Sequence, residues 1–221
     1  MLRFVTATTV LLLSALTAGA ADEYRVEAAG EAPPADEISA EIAAVVAPEG
    51  FKVIKGTSRT VCEFWPVKQL ETKPEFKPTA SLLYPLEMGQ LVGVVRFRRD
   101  GEDFRGQEIV KGTYTVRFAL QPEDGNHVGT SDTRDFCVLL KAADDRTPAV
   151  VGRESLMKLS AAAAGTTHPC MLSLLAAPDA APAAPTLEHV EDRELWAVAF
   201  AMATKSAPLP LRLVVVGKAA E

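Results

Sequence analysis

The chain has 221 residues, a formal net charge of -6, 48% hydrophobic residues and 6% aromatic residues. Because non-specific binding to nucleic acid depends on clustered Lys and Arg, an acidic chain of this kind is expected to have no nucleic-acid partner. Three cysteines allow at most one intramolecular disulfide, which excludes a small disulfide-rich scaffold. The sequence alone leaves open whether any two of Cys62, Cys137 and Cys170 are paired.

The start of the chain has the pattern of a secretory signal peptide. Arg3 provides the positively charged N-terminal region, and residues 4–16 are apolar and free of acids. Ala18-Gly19-Ala20 has the small side chains of a cleavage site. An apolar stretch of about 13 residues is too short to cross a hydrocarbon core of about 30 Å, so we expect no membrane insertion. The pattern predicts a signal peptide over 1–20 and a periplasmic or secreted mature protein.

Two short helices and a disordered leader are predicted around one domain. Residues 21–35 are acidic and rich in alanine, which is typical of disorder, and a single domain is expected over 36–217. Apolar side chains recur at steps of three and four after Asp36, which predicts a short amphipathic helix with Asp36 as its N-cap. A second helix is predicted over 155–164, ended by Gly165 in the left-handed conformation.

The remaining apolar segments alternate with a period of two, as strands do. The predicted strands are 51–55, 60–65, 91–98, 113–120, 134–141, 196–203 and 209–216. In the strand 113–120, the face that carries Thr113, Thr115 and Arg117 is expected to contact solvent. The pattern predicts a mainly β protein, a single antiparallel β-sandwich of about eight to ten strands with two short peripheral helices.

Three segments carry a resemblance to a group of known proteins. They are Ala47-Pro48-Glu49-Gly50 ahead of a strand, residues 112–117 (GTYTVR), and residues 124–129 (DGNHVG) followed by Arg134-Asp135-Phe136. Over 36–216 the chain resembles uncharacterised secreted bacterial β-sandwich proteins of domain-of-unknown-function type. This resemblance implies a secreted β-sandwich and assigns no catalytic residue.

The polar segment 122–133 is the candidate binding loop. A turn of about two to five residues is enough to join adjacent strands, so a connection of twelve polar residues calls for another explanation. One interpretation is turn chemistry, in which Asp124 and Asn126 accept hydrogen bonds from nearby backbone amides. The other is a binding loop on a rigid scaffold. The candidate binding residues are Asp124, Asn126 and His127 in this loop, Arg134 and Asp135 directly after it, and His168 from elsewhere in the chain.

A divalent metal is an alternative ligand of the same residues. The imidazole of His127 with a nearby carboxylate would suit zinc or copper, and His168 with Cys170 offers a second donor pair. No pair has a spacing that defines a metal site, such as His-x-x-x-His. The alternative function is therefore a metal-assisted hydrolase or oxidoreductase that uses His127 and His168. His189, which stands among acids, is interpreted as a solvated loop residue.

The sequence favours binding over catalysis. It contains no Gly-x-Ser-x-Gly motif, phosphate-binding loop or dinucleotide fingerprint.

Trp65 and Tyr84 are interpreted either as stacking platforms for carbohydrate or as packing at the rim. Five arginines are interpreted either as a groove for carboxylate or sugar groups or, preferably, as partners of acids in cross-strand ion pairs: Arg96, Arg98, Arg105, Arg117 and Arg134.

The resulting hypothesis is a non-catalytic binding protein or cell-envelope protein. Its expected partner is a small molecule, a carbohydrate or another envelope protein.

Overall fold

The computed structural model describes residues 24–122 and 133–219. These residues are mainly β. Their strands are β1 (Tyr24–Ala28), β2 (Phe51–Lys55), β3 (Arg59–Pro66), β4 (Leu91–Phe97), β5 (Gly101–Glu102), β6 (Glu108–Ile109), β7 (Gly112–Leu120), β8 (Asp135–Lys141), β9 (Met171–Ser173), β10 (Thr186–Val190), β11 (Leu195–Met202) and β12 (Leu209–Val216). The helices are α1 (Ala40–Val45) and α2 (Arg153–Ala164), and Glu191–Arg193 forms a 3-10 turn.

The strands are arranged in two larger antiparallel sheets and one short hairpin. Seven strands form a curled sheet in the order β1-β2-β3-β4-β7-β8-β9, and three form a second sheet in the order β10-β11-β12. The hairpin consists of β5 and β6. The margins of the two larger sheets meet on both sides. Leu174, just after β9, bridges to Leu213 of β12, and β1 lies beside β10.

An aromatic cluster packs the two larger sheets together. The ring centroids of Phe51, Phe64 and Phe200 are 5.1 to 5.3 Å apart, and these residues come from β2, β3 and β11. Val198 and Met202, at alternate positions with Phe200 on β11, are fully buried as well. Because alternate residues of a strand share a face, this burial follows from the period of two. The predicted hairpin of β11 and β12 is confirmed, with Phe200 opposite Leu211.

The second face of β7 is buried, so the prediction that it contacts solvent is wrong. Thr115, Arg117 and Ala119 have no exposed surface. Helix α2 packs against β8, where Leu156 joins an apolar cluster with Ala119, and the segment after β8 covers the rest of this face. The large sheet is therefore covered on both sides in this region, which local alternation alone does not indicate.

The prediction of a disordered leader is wrong for residues 24–35. Residues 21–23 lie outside the described ranges. Strand β1 pairs with β2 from Tyr24 opposite Lys55 to Ala28 opposite Phe51. The indole N–H of Trp65 donates to the carbonyl of Glu31 at 2.9 Å. Strand pairing and this hydrogen bond fix the segment against the sheet.

Both predicted helices are present, with one correction at a cap. Ser39, and not Asp36, is the N-cap of α1, because the Ser39 hydroxyl accepts the N–H of Ile42 at 3.2 Å. Gly165 ends α2 with φ at 68°, as predicted. Neither helix, nor any other in the described ranges, has the length and apolar character needed to cross a membrane.

Candidate functional site

The predicted binding loop falls largely outside the described residues. Asp124, Asn126 and His127 belong to the range 123–132, so their predicted role stays a prediction. Arg134, Asp135 and His168 are described, and their positions are informative.

Asp135 has a structural role at the start of β8. Its buried carboxylate accepts the backbone N–H of Leu83 at 2.8 Å and that of Tyr84 at 3.0 Å. Burial raises the pKa of Asp135 even though these two donors lower it. Arg134 donates from Nε to the carbonyl of Gln121 at 2.9 Å. Both side chains therefore fasten neighbouring segments to the sheet.

His168 lies at the opposite end of β8 from Asp135. Strands β8 and β9 pair with Val138 opposite Met171, and the N–H of Leu139 donates to the carbonyl of Cys170. This register places exposed His168 level with Lys141, six residues along the strand from Asp135, or roughly 20 Å at about 3.4 Å per residue. His168 therefore lies apart from Arg134 and Asp135. The predicted site as a whole stays a prediction, because Asp124, Asn126 and His127 lie outside the described residues. Across the described ranges, no group of three or more His, Cys, Asp or Glu residues is placed to hold a metal ion.

His189 is part of a strand and not of a loop. It belongs to β10, where its ring stacks on Trp196 with centroids 4.4 Å apart. Its Nε2 lies 3.7 Å from a carboxylate oxygen of Glu194. The prediction that His189 lies in a loop is therefore wrong, whereas its exposure to solvent is confirmed.

The three cysteines are free and buried. Burial raises the pKa of Cys62 to about 12 and that of Cys170 to about 12, and it raises the pKa of Cys137 as well. The thiolate is the nucleophilic form of cysteine, and such thiols are almost fully protonated at neutral pH. None of the three is suited to nucleophilic catalysis.

Arg96 and Arg98 form the cross-strand ion pairs that the sequence favoured. Glu63 of β3 is buried and accepts from Nε of Arg96 at 2.7 Å and from Nη2 of Arg98 at 2.9 Å. Burial by itself raises the pKa of Glu63, but the two guanidiniums outweigh it and lower the pKa below its ordinary value. Trp65 and Tyr84 are both buried, so neither is a stacking platform for carbohydrate.

Arg117 is a buried cation with a full set of acceptors. It donates to both carboxylate oxygens of Asp145, at 2.6 and 2.9 Å, and to the carbonyls of Gly89, Ala149 and Thr147. A guanidinium has five N–H donors, and these five contacts use all of them. Arg117 therefore has no donor left for a ligand.

Other cations line an open groove at one end of the large sheet. The groove has a volume of about 690 Å³ and is lined by Ser58, Arg59, Thr60, Arg98, Arg99, Asp100 and Lys111. We call it the basic groove. It contains four cations and a single carboxylate, although the chain as a whole is acidic. Clustered positive charge of this kind raises the local concentration of anions.

Three separate turns bring these cations together. The turn from β2 to β3 has Gly56 in the left-handed region, at φ 58°, and presents Arg59. Arg25 of β1 fixes this turn by donating to the carbonyls of Gly56 and Thr57. Arg98 and Arg99 follow the end of β4, and Lys111 precedes the start of β7.

Asp100 holds two of these turns together. Its carboxylate accepts the backbone N–H of Lys111 at 2.7 Å. Phe97 and Gly112 are paired across β4 and β7, so residues 98–100 and Lys111 leave the sheet side by side. The strand register therefore sets the spacing of the cations.

Three of the four cations are free to bind. The side chains of Arg59, Arg99 and Lys111 are exposed and have no hydrogen bond or ion pair with any residue of the described ranges. Arg98 differs because Glu63 and Glu31 already hold its guanidinium. A guanidinium presents a planar fork of donors that matches carboxylate, phosphate and sulfate oxygens.

The sequence pattern does not predict this groove, because its cations lie on separate turns far apart in the chain. Arg98 is predicted as a strand arginine, and no local pattern marks Arg59, Arg99 or Lys111. The available signal was the adjacent pair Arg98-Arg99 after a buried strand, with Lys111 before the next one.

Comparisons of the chain with protein-family models, with curated proteins and with solved structures give no significant match. Any functional conclusion therefore depends on the geometry and charge of the basic groove.

Proposed function

We propose that this protein is an exported, non-catalytic binding protein with a β-sandwich fold, and that its basic groove binds an anionic ligand. The observation that carries the proposal is the convergence of three unpaired cations, Arg59, Arg99 and Lys111, from three turns of an acidic chain. Their unpaired state at a concave surface favours an external anion.

The sandwich part of the proposal is supported by the aromatic cluster between the two larger sheets. Phe51, Phe64 and Phe200 fill the space between the curled sheet and the three-stranded sheet. A rigid scaffold of this kind displays its turns in fixed relative positions, which favours ligand binding by turn residues. The secreted or periplasmic location is supported by the signal pattern over 1–20.

The chemistry of the groove supports binding without catalysis. Guanidinium and ammonium groups stay protonated at neutral pH and stabilise negative charge, but they do not remove a proton from a nucleophile. Asp100, the carboxylate in the groove lining, already accepts a backbone N–H. No observation favours the alternative of a metal-assisted enzyme that uses His127 and His168, because His127 lies outside the described residues.

Binding of tripolyphosphate, measured by calorimetry at low ionic strength, tests the proposal. We expect the double variant Arg59→Glu/Arg99→Glu to lose at least about tenfold in affinity, because two attractive contacts become repulsive. We expect the wild-type affinity to fall steeply with added salt. The matched control is Arg153→Glu/Lys158→Glu, which makes the same charge change at exposed positions of α2 outside the groove.

Equal losses in the two double variants would show that only net charge matters and would contradict a site at the groove. Thermal unfolding of each variant checks that the fold is retained. Since all four substituted side chains are exposed, unfolding temperatures close to that of the wild type are expected.

A further inference from the structure

A small pocket adjoins the basic groove and shares two of its arginines. Its volume is about 150 Å³, and its lining includes Arg59 and Arg99 together with a set of apolar side chains: Tyr24, Val61, Phe97, Val215 and Val216. Tyr24 and Phe97 are buried, whereas the three valines are half-buried. One site therefore combines apolar walls with a cationic rim.

The size of the pocket limits what its apolar part can hold. An apolar cavity of about 150 Å³ in a protein interior admits benzene. Strands from both larger sheets and from the β5 hairpin contribute to the lining, so the volume is fixed by strand pairing. Lys55 contributes as well, with its ammonium 4.9 Å from the ring centroid of Tyr24. A group about the size of one six-membered ring fits this space.

The charges in the lining orient such a ligand. Arg59 and Arg99 lie in both linings and have unpaired side chains, so they mark the end that takes an oxyanion. Asp100 and Glu102 also line the small pocket and disfavour a second negative charge inside it. A ligand with one anionic end and one uncharged end satisfies both conditions.

We propose, on the basis of the proposed function, that the ligand is a small amphipathic anion, in which one ring carries a phosphate or carboxylate group. The oxyanion binds Arg59 and Arg99, and the ring lies in the pocket against Tyr24, Phe97 and the valines. Binding of the ring removes apolar surface from water, which adds affinity beyond that of the oxyanion alone.

Calorimetric titration of the exported protein with inorganic phosphate, phenyl phosphate and benzoate tests this proposal. We expect phenyl phosphate to bind at least about tenfold more tightly than inorganic phosphate. Comparison of phenyl phosphate with benzoate distinguishes the two oxyanions. Val61→Phe fills the pocket and should abolish the preference for phenyl phosphate while tripolyphosphate still binds the groove. The control Val150→Phe, at a valine 47% exposed and outside the pocket, should keep the preference.

A measurement without substitutions keeps the test decisive if Val61→Phe does not fold. Saturation-transfer NMR on the wild type should show magnetisation passing from protein methyl groups to the phenyl protons, and inorganic phosphate in excess should reduce it. If phenyl phosphate binds no more tightly than phosphate while tripolyphosphate still depends on Arg59 and Arg99, the ring pocket is wrong and the basic groove stands. If none of the anions binds, both proposals are overturned.

Discussion

At the scale of single residues, Arg117 shows how a buried charge is accommodated. Removing a guanidinium from water is costly, and its contacts with Asp145 and three carbonyls offset that cost only because every donor is used. The acceptors lie on the segments around Gly89 and over 145–149. Arg117 therefore fixes two irregular segments against β7.

Asp145→Asn tests this role. The substitution removes the negative charge that faces a buried guanidinium, and breaking a buried pair of this kind costs about 3–5 kcal/mol in the free energy of unfolding. Denaturant unfolding measures the loss. Asp144→Asn, at the exposed neighbouring position, is the control and should change the free energy of unfolding by less than about 0.5 kcal/mol. Similar small changes in both variants would show that the pair does not stabilise the fold.

At the scale of elements, the pairing of β3 with β4 combines backbone hydrogen bonds with an ionic network. Glu63 lies opposite Arg96 in the register, and Arg98 reaches the same carboxylate from the end of β4. Glu31, from the segment after β1, joins through Arg96 at 2.8 Å. One ionic cluster thus joins β3, β4 and the segment that follows β1.

This network should make stability depend on acidic pH. The pKa of Glu63 is lowered from an ordinary value of 4.5, so its stabilisation is present above pH 4.5 and is lost as the pH falls through the folded-state pKa. Glu63→Gln should therefore be less stable than wild type at pH 7, and this difference should shrink below pH 4.5. Urea unfolding across this range measures it. Glu154→Gln, on the exposed surface of α2, should show no such convergence with wild type.

Most strands could be predicted from the sequence because their apolar side chains alternate over five or more residues. Strand β1 was missed since Tyr24 and Val26 are its only large apolar residues and acids surround them. The burial of Arg117 was missed for a different reason. Its partner Asp145 lies 28 positions further along the chain, so local alternation contains no sign of it.

The basic groove could not be predicted from any short stretch of the sequence, for the same physical reason. Arg59, Arg99 and Lys111 belong to separate turns, and only the register of β3, β4 and β7 brings them together. By contrast, the polar residues over 122–133 form one continuous segment, so local sequence pattern alone predicts a loop there.

At the scale of the whole molecule, the predicted cleavage after Ala20 is compatible with the fold. Strand β1 begins at Tyr24, so a mature chain that starts near Ala21 keeps the first strand complete. We expect the intact mass of the exported protein to correspond to a chain beginning near Ala21 with no added lipid. Ala20→Arg should block processing, because the cleavage site requires a small side chain. A wild-type mass that includes residues 1–20 would contradict the prediction.

The contact of the two larger sheets on both sides affects how copies of the protein meet at high concentration. A free sheet margin offers unpaired N–H and C=O groups, on which another chain adds as an extra strand and starts aggregation. Here β1 lies beside β10, and the end of β9 is bridged to β12, so the other sheet partly covers each margin. A neighbouring copy therefore has less room to add a strand at either margin, which disfavours aggregation by strand addition.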